Sequence, residues 1–424
     1  MNAAALSALP AARSSLSPGL RAVVVPAVLF GMYASFGAAW MSVVPLFPEV
    51  RALLGVDAAG AAWLVTVVSL VKSVVPILAG LVAARIGLTA SMRLAAVLIA
   101  VAVVVPWLPG YGAQVAARFV FGTGGAMWLA LMGAVVVDVV PAGRRGFVNA
   151  LNGVAVNTGA IVGLKTALPL KDAVGAQGAL TVLAAGTVVF AALVFACGPL
   201  SQTPPAAAKT PLADVGRAYA RVLGEQTTWI VAAAFTGPLA LYLVMNTWLP
   251  THLQTTFGLT RPEAMSWLST MNLWGIPASL LIGVLLQRNI GAVRLHILTG
   301  AALLPLGVLG ALTAGAGWRP VFFAVAGIGM FVPVAPLVTL LQRQPGMTAA
   351  RVGMVMGTMG SVTYVVSSVA PNVIGHFVAR GVAIDALLVP CCLLGLTPAV
   401  ALLPPEPRGR APSAPPRSID RPLP

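Results

Sequence analysis

The chain has 424 residues, of which 59% are hydrophobic and only 8% charged, whereas about a quarter of the residues of a soluble globular protein carry charge. This composition excludes a soluble globular domain and intrinsic disorder, and the continuous apolar runs exclude a porin-type barrel, whose strands alternate polar and apolar residues. The formal charge of +15, from 25 Lys and Arg against 10 Asp and Glu, forms no stripe or aromatic-interleaved patch, so it signals membrane topology and not nucleic acid.

A spanning helix consumes roughly 20 apolar residues. Spans are predicted over 22–46, 59–84, 91–109, 112–137, 147–168 and 174–198, then over 227–250, 263–286, 294–314, 319–341, 352–375 and 384–403. The fold class expected is an all-α membrane protein, with twelve transmembrane helices in two pseudo-symmetric six-helix bundles, 22–198 and 227–403. The first residues lack a charged region followed by a cleavable apolar core, so 1–21 is expected to be a cytoplasmic tail. Residues 199–226, with their Pro/Ala start and scattered charges, are expected to link the bundles, and the Pro- and Arg-rich 404–424 to be a disordered tail. Seventeen Lys and Arg fall on the side of the termini and linker, against Arg51, Lys171, Arg261, Arg319 and Arg380 on the other. The positive-inside rule therefore predicts cytoplasmic termini.

The stretch GLVAARIG places Gly80, Arg85 and Gly87 at the end of span two, and GVLLQRNIG places Gly283, Arg288 and Gly291 at the end of span eight. A match at corresponding positions of two six-span halves is what duplication of a transporter half predicts.

The first of these stretches resembles the Gly-x-x-x-Asp-Arg-x-Gly signature of the major facilitator superfamily, and Arg118, Gly122 and Gly124 in span four resemble its Arg-x-x-x-Gly-x-Gly motif. Similarity extends over the chain apart from the tails. PLFPEVRALLGV, NTWLPTHLQTTFGLT and NLWGIPASLL look most like the cyanate/nitroimidazole permease branch. Ala84 stands where the signature has aspartate, which puts the family's usual cytoplasmic lock in doubt. The resemblance implies alternating access around a midplane site, in a multi-pass protein of the bacterial cytoplasmic (inner) membrane.

Lys72 carries the sharpest functional signal. It lies deep in span two with no acid nearby, where a lysine costs about 2.5–3.5 kcal/mol, so it is expected to face a wet cavity with Val68, Ser69, Val75 and Pro76 along its face. The bland alternatives are snorkelling or pairing across helices. Arg118 reads equally as a substrate contact or as an organiser of packing, and Lys165 as an interfacial anchor or a third cation of the site. Tyr33 and Trp40 in span one, Asn246 and Asn272 in spans seven and eight, and Tyr364 in span eleven lie on polar stripes that serve either as glue between helices or as ligand contacts. Trp128 and Trp274 are candidates for an aromatic wall or for core filling.

Every Asp and Glu falls in a tail, a loop or a span end, and His252, His296 and His376 are at span ends. No mid-membrane proton relay, metal-ligand cluster, phosphate loop or nucleophile with a base is predicted, so an enzyme is disfavoured and no cofactor or metal is expected. The leading reading is a secondary or facilitative transporter for a small, anionic solute. Its alternatives are an efflux carrier for small apolar or aromatic compounds and a non-transporting sensor on the same fold. The expected partners are that solute and the lipid bilayer, and the chain is expected to act as a monomer.

Overall fold

The computed structural model of the chain describes residues 17–201, 212–344 and 349–402. The tails predicted over 1–21 and 404–424 lie outside these residues except for 17–21. Among the described residues every regular element is helical.

Nine helices among the described residues are long and apolar enough to cross a bilayer. One of them, Leu151–Ala196, has 46 residues, and at 1.5 Å per residue it is about 69 Å long, twice the thickness of a hydrocarbon core. Its helical geometry fails at Gly175 (φ 75°, ψ 170°), a conformation that only a residue without Cβ adopts freely. The chain therefore turns from span five to span six at one glycine, and the loop expected over 169–173 is helix instead. Two further spans are built from short pieces. Span two is Ala58–Val71 followed by Val75–Ile86, and span three is Leu88–Ala100 extended by 3-10 turns over Val101–Val103 and Val105–Trp107. The remaining spans are Pro18–Met41, Tyr111–Val139, Gln226–Phe257, Arg261–Gln287, Val293–Thr313, the pair Arg319–Phe331 and Val334–Gln342, Ala349–Ala379, and Ile384–Cys391 with its 3-10 extension Cys392–Leu402. The expected linker contains a helix of its own, Leu212–Leu223.

In lipid the hydrophobic effect does not drive helices together, so close approach of small residues has to. Spans one and five meet in this way. A Cβ on Gly159 would fall on the carbonyl oxygen of Ala34, one on Gly37 would fall on that of Val156, and one on Gly163 would sit 2.6 Å from that of Ala38. The motif glycines of span four are likewise contact points: Gly122 faces the backbone of Val68 at 3.0 Å and Gly124 the carbonyl of Ala95 at 2.7 Å. At the terminal side of the first half, Arg21 donates to the Pro199 carbonyl (2.8 Å), Arg93 to that of Gly198 (3.1 Å), and the Ser201 hydroxyl to Asp138.

The repeat seen in the sequence has a structural counterpart. Gly87 (φ 86°) and Gly291 (φ 75°) both take the left-handed region at the turn after their span, Arg85 and Arg288 are exposed, and a Cβ on Gly80 or Gly283 would meet nothing within 4 Å. The side chain of Ala84 lies outside the described set. The two halves touch along spans two and eleven and along spans five and eight.

Candidate functional site

Span two is broken by Pro76. Proline lacks an N–H, and its ring collides with the carbonyl four residues earlier, here that of Lys72. The backbone falls back on shorter bonds, Lys72 N–H to Ser69 (3.1 Å), Ser73 to Leu70 (3.0 Å) and Val74 to Val71 (3.2 Å). Lys72 thus caps the C-terminal end of Ala58–Val71, where the helix dipole favours a cation. The continuous face expected to run from Val68 to Pro76 does not exist, because the helix stops just before Lys72. Span ten is interrupted in the same way after Phe331, ahead of Pro333 and Pro336. Discontinuous helices at mid-membrane are a mark of transporter sites, since irregular backbone is tolerated there only beside a cavity or other protein.

Both breaks border one cavity of about 280 Å³ between the halves. The first half contributes Tyr33, Trp40, Lys72, Val156 and Asn157, and the second half Tyr242, Phe331, Thr363 and Tyr364 within an otherwise apolar wall. Lys72 is 1% exposed. Its ammonium lies 4.1 Å from the ring centroid of Trp40, 5.1 Å from that of Phe36 and 5.5 Å from that of Tyr364, a cage that stabilises a cation through the ring faces. The cage is itself packed: Phe36 stacks on Tyr33 (5.6 Å) and Phe121 (4.6 Å), and the Trp40 indole donates to the Val65 carbonyl (3.1 Å). Among the described residues no carboxylate pairs with Lys72, and no acid or histidine lines the cavity. Across the cavity the Tyr242 hydroxyl donates to Asn157 Oδ1 (3.0 Å), bridging the two halves.

The lining residues of spans seven and eleven run from the side nearer the termini to about the middle of those helices. The opposite side is shut. There Arg261 grips Glu49 with two bonds of 2.9 and 2.6 Å, Lys171 adds a contact at 3.5 Å, and the Asn372 amide donates to Thr66 (2.9 Å).

Of the residues singled out from sequence, Tyr33, Trp40, Lys72 and Tyr364 come together at the cavity. The others do not line it. Arg118 is buried and donates to the Ala39 carbonyl (3.1 Å); that oxygen belongs to the last turn of span one, where carbonyls lack helical partners and a cation complements the dipole. It therefore holds the residue next to Trp40. Trp128 is fully buried within the first half, its indole on the Leu29 carbonyl (3.2 Å), while Trp274 is exposed on the outside of span eight. Neither contributes to the aromatic wall. Lys165 is exposed away from the cavity. The Asn272 amide donates to Asn246 Oδ1 (2.9 Å) and to the Leu268 carbonyl (3.0 Å), and the Asn246 amide donates to the Tyr242 carbonyl (2.8 Å). The pair ties span seven to span eight. Asn157, a mid-span amide, was open to the same argument that singled out Asn246 and was missed.

The model of the Major Facilitator Superfamily matches residues 29–371, and the chain belongs to that superfamily, whose members are transporters and not enzymes. Among solved structures it is similar to a variant of the E. coli fucose:proton symporter, at 14% identity and TM-score 0.62, with 89% of this chain and 98% of that chain covered. It is also similar to a D-xylose-proton symporter, at 16% identity and TM-score 0.65, with 89% and 96% covered. At such identities the likeness concerns the fold, and it bears out the twelve-helix, two-bundle architecture. No curated protein gives a match.

Proposed function

We propose that this transporter moves a small monovalent anion, with Lys72 as the charge that selects it and the aromatic and aliphatic wall receiving whatever apolar body it carries. The observation that carries this reading is the Lys72 ammonium, buried at the cavity and without a carboxylate partner among the described residues. A buried charge is kept only where something compensates it. The aromatic cage supplies part of that compensation, and an anion supplies the rest. The apolar wall equally suits the body of an aromatic solute, which is where the efflux reading joins this one. The three segments resembling the cyanate/nitroimidazole branch are consistent with it, since that resemblance also points to compact solutes of this size.

The halves 22–198 and 227–403 act as the two rocking bodies. With the basic side cytoplasmic under the positive-inside rule, the cavity faces the cytoplasm of a bacterial inner membrane and the Glu49–Arg261 side is external. Reporter fusions after Pro109 and after Gly258 should therefore report an external location, and a cytoplasmic signal at either would contradict this orientation.

The two solved neighbours are named as proton symporters. Here no carboxylate or histidine lines the cavity among the described residues, so we infer exchange or facilitated flow without proton coupling. Proteoliposomes holding a pH-sensitive dye are expected to show uptake without proton movement. Substrate-dependent proton flux that disappears in Lys72→Gln would instead establish symport through the lysine.

A further inference from the structure

A second cavity of about 340 Å³ lies at the face opposite the termini, on the same seam between the halves. Arg51 and Arg261 line it together with Thr251 and Gln254, and among the described residues no acid does. Its floor includes Val44 and Trp248. Along span seven Tyr242 borders the central cavity and Trp248 the outer one, six residues apart, or roughly 9 Å of helix.

The ion pairs of this region leave Arg51 out. Glu49 is shared between Arg261 and Lys171, and Asp172 pairs with Lys171 at 3.2 Å. Arg51 is exposed and makes no ion pair among the described residues. Arg51 is thus left outside the ion pairs that Glu49 and Asp172 make, and it lines the cavity together with Arg261. Arg261 holds Glu49 by the planar two-bond fork that guanidinium forms with any carboxylate.

We propose that the outer cavity is a second anion site, in which Arg51 and Arg261 receive a carboxylate or similar monovalent anion, and that this anion takes Glu49's place on Arg261. Binding there is mutually exclusive with the Glu49–Arg261 pair. Because that pair joins the two halves, an anion arriving from outside unlatches the external side by preferring the open state. That the ligand is the transported solute rests on the anion reading of Lys72; the site itself rests on Arg51, Arg261 and Glu49.

The test removes the central site and reads the external one. In full-length Lys72→Gln protein with its native cysteines replaced by alanine, Thr66→Cys reports opening of the seam between spans two and eleven to an impermeant maleimide added from the external face. Nitrate, acetate and benzoate are the probes. At least one is expected to speed labelling by about tenfold through a shifted opening equilibrium. Arg51→Gln, an exposed and unpaired position, should lose the response, and Glu49→Gln should label rapidly without any anion. The proposal is overturned if none of the three anions changes the rate, if the response survives Arg51→Gln, or if Glu49→Gln stays closed. Normal transport by Lys72→Gln would sink the central-site reading while leaving this response in place, so the two failures are distinguishable.

Discussion

Replacing Lys72 by Gln is expected to abolish transport of the anion while the folded yield stays near that of the parent. Truncating one partner of a desolvated charge pair costs about 2–5 kcal/mol, and at about 1.4 kcal/mol per decade this removes between one and a half and three and a half orders of magnitude of affinity. Lys72→Arg should transport poorly, because the planar guanidinium does not fit a cage shaped around a compact ammonium. The stability measurement separates function from structure. Without ligand the ammonium is buried with only ring faces and the end of a helix dipole to compensate it, so Lys72→Met should leave ligand-free protein as stable as the parent or stabilise it by about 1–3 kcal/mol, the order of a lysine's cost at the centre of a membrane helix. A strongly destabilised Lys72→Met would assign the lysine to packing.

The largest effect on folding is expected at Gly159. Its missing Cβ leaves room for the carbonyl oxygen of Ala34, and the reciprocal contact of Gly37 with Val156 lies beside it. Both obstacles are backbone, so no rotamer change relieves a substitution. Overpacking a core typically costs about 1–3 kcal/mol, and forcing two helices apart along this contact should exceed it. Gly159→Val is expected to leave no monodisperse protein on size exclusion in detergent. Gly80→Ala, where a Cβ meets open space, should behave as the parent does. Equal behaviour of the two variants would refute the claim that spans one and five are held by backbone contact. The same contact positions the site, since Tyr33, Phe36 and Trp40 all lie on span one.

Lys72 was legible because a lone cation in an apolar run has few bland explanations, and Pro76 announced the break beside it. The twelve spans were legible for the related reason that bilayer thickness fixes their length. Which aromatics face the cavity was not. A helix in lipid is apolar on every side, so Trp128, buried in one half, and Tyr242, bordering the cavity, look alike in sequence. The role of Arg118 is not legible in sequence because the carbonyl it satisfies belongs to Ala39, 79 residues away. Sequence shows that Asn246 and Asn272 are costly to bury but not that their partners are each other and the backbone. The Glu49–Arg261 latch spans 212 residues, and neither half shows it alone.

The central claim is that Lys72 binds an anion, and thermal unfolding of purified protein tests it most directly. The comparison is made in an Arg51→Gln background, so that the central cavity alone responds, with and without Lys72→Gln. A ligand that binds only the folded state stabilises it by about 2.7 kcal/mol at a hundred times its dissociation constant. We predict that at least one of nitrate, acetate and benzoate raises the unfolding temperature when Lys72 is present and does not when it is replaced, while neutral fucose and xylose have no effect on either protein. Stabilisation by a neutral sugar, or by an anion equally with and without Lys72, would contradict the account.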